Sequence, residues 1–364
     1  MSLVVDIRKK LDSLELAVSF TAPDGRLCLL GESGSGKSMT LKCIAGIETP
    51  DEGRIVINGV TVFDSARGVN TAIQQRSCGY LFQEYALFPH MSAERNVLMA
   101  LPPALPFTER VRRARELLKR YALESVAAYR PTRISGGQRQ RLALVRLLAA
   151  NPELILLDEP FSALDTTIKA RVEEELSTHL ETFPGTVVMV THNRDEAYRF
   201  CEEVVILDRG QVVEQGGRDE VFTSCTTVRG AQLTGCRNIA PAIRAGARRI
   251  AIPEWGLLLD TANEVPAGAV WAGIRSHHIR PRAPGDEHNN TDFELVSRRL
   301  SPYSVTEYLS ALTPDGFAGG TRGIRSPLIR EYGRSSIDSC EPAGRGERLS
   351  LHIPPQAVLV LGGR

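Results

Sequence analysis

Leu27-Cys28-Leu29-Leu30-Gly31-Glu32-Ser33-Gly34-Ser35-Gly36-Lys37-Ser38 joins a short apolar run to a glycine-rich turn, and a helical pattern over 38–47 follows. The turn fits G-x-x-x-x-G-K-[ST], a loop that cradles phosphates. Glycines let the backbone curl so that successive N–H groups point inward at phosphate oxygens, and the helix behind adds its positive N-terminal end. Lys37 is placed to reach the β- and γ-phosphates of a nucleotide, and Ser38 supplies the small hydroxyl that suits Mg²⁺. The nucleotide-contacting set read here is Gly31, Glu32, Ser33, Gly34, Ser35, Gly36, Lys37, Ser38 and Met39.

Outward from the loop, the apolar residues of 14–20 sit near period 2, and Pro23-Asp24-Gly25 turns the chain into the Leu27–Leu30 run. Further strands are predicted at Arg54–Ile57, Leu154–Leu157, Thr186–Val190 and Val204–Leu207, with helices over 38–47, 107–122, 138–150 and 166–181. Strands alternating with helices predict an α/β fold with a mainly parallel sheet. Leu154-Ile155-Leu156-Leu157-Asp158-Glu159 ends a buried strand in two carboxylates, as expected where a strand delivers acids to a nucleotide. Asp158 is placed to hold the metal. Glu159 is placed on the opposite strand face, to polarise an attacking water.

A length of 364 residues points to two or three domains, and 42% hydrophobic with 24% charged residues is ordinary globular usage. Lys plus Arg (44) nearly balances Asp plus Glu (43), so no global charge drives binding to nucleic acid or anionic lipid. The seven cysteines show no C-x-x-C spacing, which disfavours a disulfide framework or a structural zinc site. No apolar stretch approaches the roughly 18 residues of a membrane span, and the N-terminus lacks the apolar block of a signal peptide. After residue 225 the texture turns rich in Gly, Arg and Pro, with strand-like pieces at Ala269–Ile274 and Leu349–Ile353 and a Gly-rich stretch, Thr313–Arg325, read as a mobile loop. The domains read here are a nucleotide-binding domain over 1–225, a linker over 226–235 and a small β-rich domain over 236–364.

Ile134-Ser135-Gly136-Gly137-Gln138 resembles the signature motif of ATP-binding-cassette (ABC) ATPases. In the family's order stand Gln83, like its Q-loop; Ser162-Ala163-Leu164-Asp165, like its D-loop; and Thr191-His192, like its switch histidine. Ser135, Gly136 and Gly137 precede a helix with apolar Leu142, Val145 and Leu148, so they form a second anion-binding helix N-terminus. The resemblance implies ATP and Mg²⁺ as cofactors and a head-to-tail homodimer, in which the signature of one copy faces the phosphate loop of the other. It assigns Glu159, His192 and Gln83 to catalysis, Ser38, Gln83 and Asp158 to the metal, and Ser135, Gly136, Gly137, Gln138 and Asp165 to the nucleotide. It also implies a helical subdomain beside the sheet. One departure stands out: the family's aromatic residue for stacking on adenine has no counterpart in residues 1–19, and Phe20 lies close before the loop.

The resemblance extends to a function, the ATP-hydrolysing subunit of a membrane importer. Glu84–Ala100, with Tyr85, Leu87, Phe88, Pro89 and Met91, then supplies an apolar groove for permease helices. A β-rich extension containing Gly273-Ile274-Arg275 and the closing LSLHIPPQAVLVL resembles the oligonucleotide-binding-like regulatory barrels of importer ATPases. Phe63-Asp64-Ser65, the stretch Gly79–Pro89 and Leu233–Ile239 look most like molybdate importer ATPases, with sulfate, ferric iron and polyamine importers as alternatives. The partners so implied are integral membrane permease subunits and a periplasmic or lipid-anchored substrate-binding protein, with no nucleic acid. The implied location is the cytoplasmic face of the cell membrane. Arg275, His277, His278 and Arg280 are a candidate oxyanion cluster. A soluble, non-transport ABC ATPase fits less well, because the chain lacks coiled-coil heptads and a second cassette.

Overall fold

The structure, a computed structural model, describes residues 3–162, 166–181, 183–268, 270–312, 326–333 and 345–362. Ala163, Leu164 and Asp165 of the D-loop-like stretch, and the Thr313–Arg325 loop, lie outside the described residues. The chain divides into two compact units, Met1–Arg218 and Asp219–Arg364.

The first unit runs β1 (Leu3–Lys10), β2 (Glu15–Ala22), β3 (Gly25–Leu30), α1 (Lys37–Ala45), β4 (Glu52–Ile57), β5 (Val60–Asp64), β6 (Val69–Asn70), β7 (Cys78–Leu81), α2 (Ala93–Ala100), α3 (Phe107–Arg120), α4 (Gly136–Ala149), β8 (Leu154–Asp158), α5 (Thr166–Glu181), β9 (Thr186–Thr191), α6 (Arg194–Phe200), β10 (Glu203–Asp208) and β11 (Gln211–Gly217). Its strands form one sheet in the order β6-β5-β4-β1-β2-β11-β10-β3-β9-β8-β7. The sheet is mixed. Strands β10, β3, β9, β8 and β7 pair in parallel, whereas β6, β5, β4, β1 and β2 add an antiparallel arm. The parallel strands carry near-continuous apolar runs, with β8 and β9 buried at every position. The arm alternates instead: Leu3, Val5 and Ile7 of β1 and Leu16, Val18 and Phe20 of β2 are buried. Both parts share one core with Leu41 and Ile44 of α1. Helices α2, α3 and α4 pack on one another as the helical part of the unit.

Helix α1 must hold its phosphate-loop end in place, and a buried arginine secures the other end. Arg76, 2% exposed, donates to the carbonyls of Cys43 and Ile44 at 2.9 Å, to Thr71 O at 2.9 Å and to Asn70 Oδ1 at 2.9 Å. The cation thereby caps the negative end of the helix. Gly46 ends α1 at φ 80°, and a Cβ there would lie 2.6 Å from Arg76 Nε. Arg76→Met is therefore expected to destabilise the first unit by about 3 kcal/mol, because several buried carbonyls lose their donors. A urea unfolding curve of the full chain reads this as an earlier first transition.

Helix α7 (Arg218–Ser224) crosses the boundary into the second unit, which continues with α8 (Val228–Leu233) and is otherwise mainly β. Its strands are β12 (Asn238–Gly246), β13 (Arg249–Ile252), β14 (Leu257–Asp260), β15 (Val270–Ile274), β16 (Arg280–Pro281), β17 (Asn290–Leu300), β18 (Ser304–Ala311), β19 (Leu328–Gly333), β20 (Arg348–His352) and β21 (Val358–Gly362). They form two antiparallel sheets, β14-β13-β12-β15-β21 and β16-β20-β17-β18-β19. Among the described residues neither sheet closes on itself, and both contribute to one core through Ile250, Leu259, Ile274, Phe293, Leu309 and Leu351. Of the expected oxyanion cluster, Arg275, His277 and His278 stay near one another, the two imidazole rings 4.3 Å apart, but the two arginines are engaged elsewhere. Arg275 is 6% exposed and donates to Thr234 O at 2.9 Å, while Arg280 spends its charge on Asp286 at 2.6 Å.

Candidate active site

Parallel pairing of β10, β3, β9, β8 and β7 brings their carboxyl ends to one edge of the sheet. At that edge β3 runs into Gly31–Lys37, β7 leads to Gln83, β8 ends at Asp158 and β9 ends before His192. A ligand crevice outside the carboxyl ends of parallel strands is the expected place for a site in such a sheet.

The phosphate loop is held from below by the β10–β11 turn. Gly210 N donates to Ser35 O at 3.0 Å, and a Cβ on Gly31 would lie 2.3 Å from Leu207 O, so only glycine fits there. Lys37 is 4% exposed, and its ammonium donates to Gly31 O at 2.9 Å and Glu32 O at 2.7 Å. Burial pulls its pKa below the usual lysine value, while Glu159, Cys28, Asp158 and Glu32 act in the opposite sense. The hydroxyl of Ser35 is buried with no hydrogen-bond partner, a donor that a phosphate oxygen would satisfy. Glu32, Ser33 and Gly34 are exposed, whereas the Met39 side chain packs against the hydrophobic core.

Ser38 Oγ donates to Asp158 Oδ1 at 2.7 Å, and Tyr80 OH donates to Asp158 Oδ2 at 2.8 Å. Burial and the neighbouring carboxylate push the Tyr80 phenol up, so it stays a donor. One hydroxyl beside one carboxylate is a donor set that fits Mg²⁺, which completes its shell with phosphate oxygens and water. Gln83 is exposed and makes no hydrogen bond to either group among the described residues. Tyr80 belongs to the site but was not legible in advance. Its only sequence signal is its place one residue before the end of β7, and the contact to Asp158 comes from strand pairing.

Glu159 lies just past β8 with φ 44°, a left-handed conformation unusual for a residue with a side chain. That turn, rather than strand alternation, directs its carboxylate. Its N–H donates to Val190 O at 3.1 Å, and its carbonyl accepts from Ser162 N at 3.2 Å and Ser162 Oγ at 3.0 Å. Glu159 Oε1 lies 3.2 Å from His192 Nδ1. The geometry thus brings Lys37, Ser38, Asp158, Glu159 and His192 to one edge.

Ser135 is the N-cap of α4 in a reciprocal capping box: its hydroxyl accepts from Gln138 N at 3.3 Å, and Gln138 Oε1 accepts from Ser135 N at 2.9 Å. The Gln138 amide is thus engaged in the cap. Among the described residues Ser135, Gly136, Gly137 and Gln138 make no hydrogen bond to the phosphate loop of their own chain. Helix α4 instead reaches the segment after Glu159, through Gln140 Nε2 donating to Pro160 O at 3.0 Å. Phe20 is 3% exposed inside β2 and unavailable to a base, while half-buried Leu14 comes close to Gly36.

After Gln83 the chain turns through two left-handed residues, Tyr85 (φ 62°) and Ala86 (φ 43°), and the Tyr85 ring is buried. Ala86 O accepts from Arg146 at 2.7 Å, and the same guanidinium lies over the Phe88 ring at 5.2 Å. Asn96, fully buried, accepts from Phe88 N at 2.9 Å. Phe82, Phe88 and Met99 are exposed, whereas Leu87 and Met91 are half-buried.

Fold and site together define a class: a phosphate-loop ATPase of the ATP-binding-cassette type. A family model described as ABC transporter matches residues 16–162. The sulfate/thiosulfate import ATP-binding protein CysA 2 of Chromobacterium violaceum is 37% identical, over 90% of this chain and 85% of that protein. The molybdenum import ATP-binding protein ModC of Paramagnetospirillum magneticum is 33% identical, over 73% of this chain and 74% of that one. A solved dimeric structure of a post-hydrolysis state of the ATP-binding cassette MJ0796, bound to ADP and Pi, is 31% identical with TM-score 0.51. It covers 60% of this chain and 99% of that chain. The chain belongs to the ABC transporter family, among the ATP-binding, ATP-hydrolysing subunits of its importers. No helix among the described residues is long and apolar enough to cross a membrane.

Proposed function

We propose that this subunit powers import of a tetrahedral oxyanion by hydrolysing Mg²⁺-bound ATP in a head-to-tail homodimer. The observation that carries the reading is the juxtaposition at one sheet edge of Ser38 on Asp158 at 2.7 Å and His192 on Glu159 at 3.2 Å. Lys37 and the loop N–H groups bind the phosphates, Ser38 and Asp158 hold the metal, and Gln83 reaches it from the end of β7. Glu159 takes the proton of the attacking water, and His192 orients that carboxylate and the γ-phosphate. The N-terminus of α4, with Ser135, Gly136 and Gly137, together with Asp165, serves the nucleotide of the second copy. The dimeric cassette MJ0796 supports the arrangement. Functional boundaries at 1–225, 226–235 and 236–364 belong to the same reading.

The permease partner docks on the surface around and after Gln83, where Phe82 and Phe88 stand exposed and Tyr85 is buried. This subunit works at the cytoplasmic face of a cell membrane, and a periplasmic or lipid-anchored substrate-binding protein completes the complex. Sulfate and molybdate relatives support an oxyanion cargo, the sulfate relative reaching furthest along the chain. Sulfate, molybdate and tungstate share a tetrahedral dianionic shape. In a strain lacking this subunit, uptake of labelled sulfate or labelled molybdate is expected to fall to background and to return with the intact gene. The anion that is lost names the cargo. Loss of iron or polyamine uptake alone overturns the oxyanion reading. In solution, specific ATPase activity is expected to rise with protein concentration through a dimerisation range, whereas a concentration-independent rate contradicts a composite site.

A further inference from the structure

We infer that Glu196 is a positioning residue for His192, acting through the Thr191 hydroxyl at the junction of β9 and α6. The inference rests on the reading of His192 given above and deepens it by naming what sets the direction of the ring.

Glu196 sits in the first turn of α6 and is 5% exposed. A carboxylate taken out of water costs several kcal/mol unless paired and hydrogen-bonded. Here Thr191 Oγ1 donates to one carboxylate oxygen and the Lys169 ammonium, from α5, meets the other. The same Thr191 hydroxyl accepts from Asn193 N at 3.0 Å. A hydroxyl has a single proton. Because Glu196 takes it, the lone pairs of Thr191 are turned toward the N–H of the residue beyond His192. The hydroxyl therefore clasps the chain on both sides of the histidine. Asn193 completes the turn by capping α6, accepting from Asp195 N at 2.9 Å and Glu196 N at 3.4 Å.

His192 needs this clasp because packing does not fix it. Its side chain is 53% exposed, and among the described residues its one hydrogen bond is to Glu159. The direction of an exposed ring is set by its backbone, and here that backbone is set by Thr191, Asn193 and Glu196. Glu196 also lines a cavity of about 390 Å³ whose other charged residues are Glu173, Glu174, Glu181 and Arg199; Arg199 pairs with Glu173 at 2.9 Å, and Lys169 pairs with Glu196.

The test is steady-state ATP hydrolysis by the full chain, with kcat, KM for ATP and the thermal midpoint measured together. The variants are Glu196→Gln, Glu196→Ala, Thr191→Val, His192→Ala and the double variant Glu196→Ala/His192→Ala. In Glu196→Ala, kcat is expected to fall about tenfold with KM within about twofold, the signature of an interaction that matters in the transition state. Glu196→Gln keeps an acceptor for Thr191 and should recover most of the rate. Thr191→Val keeps the shape but removes the hydroxyl, and should reproduce the loss even where Glu196→Ala does not fold. Added to His192→Ala, the Glu196→Ala change should cost less than about twofold of the residual rate, because both act through one group. A proportional loss in both backgrounds, or KM rising in step with a lowered midpoint, assigns Glu196 a merely structural role and overturns the inference. An unchanged kcat in His192→Ala overturns the underlying reading of His192 instead, independently of what Glu196 does.

Discussion

Glu159→Gln should bind ATP as the native chain does and turn it over at least about 100-fold more slowly, the usual contribution of a positioned general base. Glutamine has the shape of glutamate and keeps an acceptor oxygen for His192, 3.2 Å away. It cannot accept the proton of the attacking water. The left-handed backbone at φ 44° stores strain on the order of 1–3 kcal/mol. That strain is held by Val190 O and Ser162, contacts of the backbone that glutamine retains. Geometry thus survives and only the chemistry is removed. With hydrolysis blocked, nucleotide holds the two copies together, so the variant should run as a dimer in size-exclusion chromatography with Mg²⁺ and ATP and as a monomer without. Single-turnover hydrolysis separates this from slow product release. A variant that hydrolyses ATP at the native rate takes the proton-accepting role away from Glu159.

The parts of the candidate site that are contiguous in the chain are legible in the sequence itself. Gly31–Ser38 and Leu154–Glu159 are each a strand running directly into its functional residues, so local pattern and chemistry coincide. The start of a helix at Ser135–Gly137 is equally legible from the apolar spacing that follows it, and the structure adds the reciprocal cap of Ser135 with Gln138. What escaped were groups whose role comes from pairing across the sheet. Tyr80 reaches Asp158 only because β7 lies beside β8, and Arg76 returns to Cys43 and Ile44 only after β4, β5 and β6 have intervened. Glu196 carries no local signal, because its bond to Thr191 and its pair with Lys169 arise only where α5 and α6 meet the end of β9. The antiparallel arm carries a weaker signal: Leu3, Val5 and Ile7 alternate with Asp6 and Arg8 as β1 requires, but Val4 and Lys9 break the period at either end. The cargo stays outside the local motifs. Relatives named for sulfate, molybdenum, putrescine and iron import stand at 37%, 33%, 37% and 40% identity, so likeness in the cassette does not sort one cargo from another.

Lys37→Ala should have the opposite signature, a loss of binding before any question of turnover. The ammonium is 4% exposed and is held by Gly31 O and Glu32 O at 2.9 and 2.7 Å, which leaves one of its three N–H donors for a phosphate oxygen. Charge-assisted hydrogen bonds are worth about 1.5–3 kcal/mol each, and a buried cation facing a polyphosphate adds attraction that water screens little. Alanine removes that attraction and also strips two loop carbonyls of their donor, so the loop loses its preformed curl. ATP affinity is expected to fall at least about 100-fold, or about 3 kcal/mol. Lys37→Arg should not rescue it, since a planar fork does not fit where a compact ammonium points between two carbonyls of one tight turn. Equilibrium titration with a fluorescent ATP analogue decides the matter. Because neither Gly31 nor Ser38 is altered, retained affinity would mean that the backbone N–H groups and the end of α1 carry the phosphates alone, and that Lys37 acts on the γ-phosphate only during its transfer.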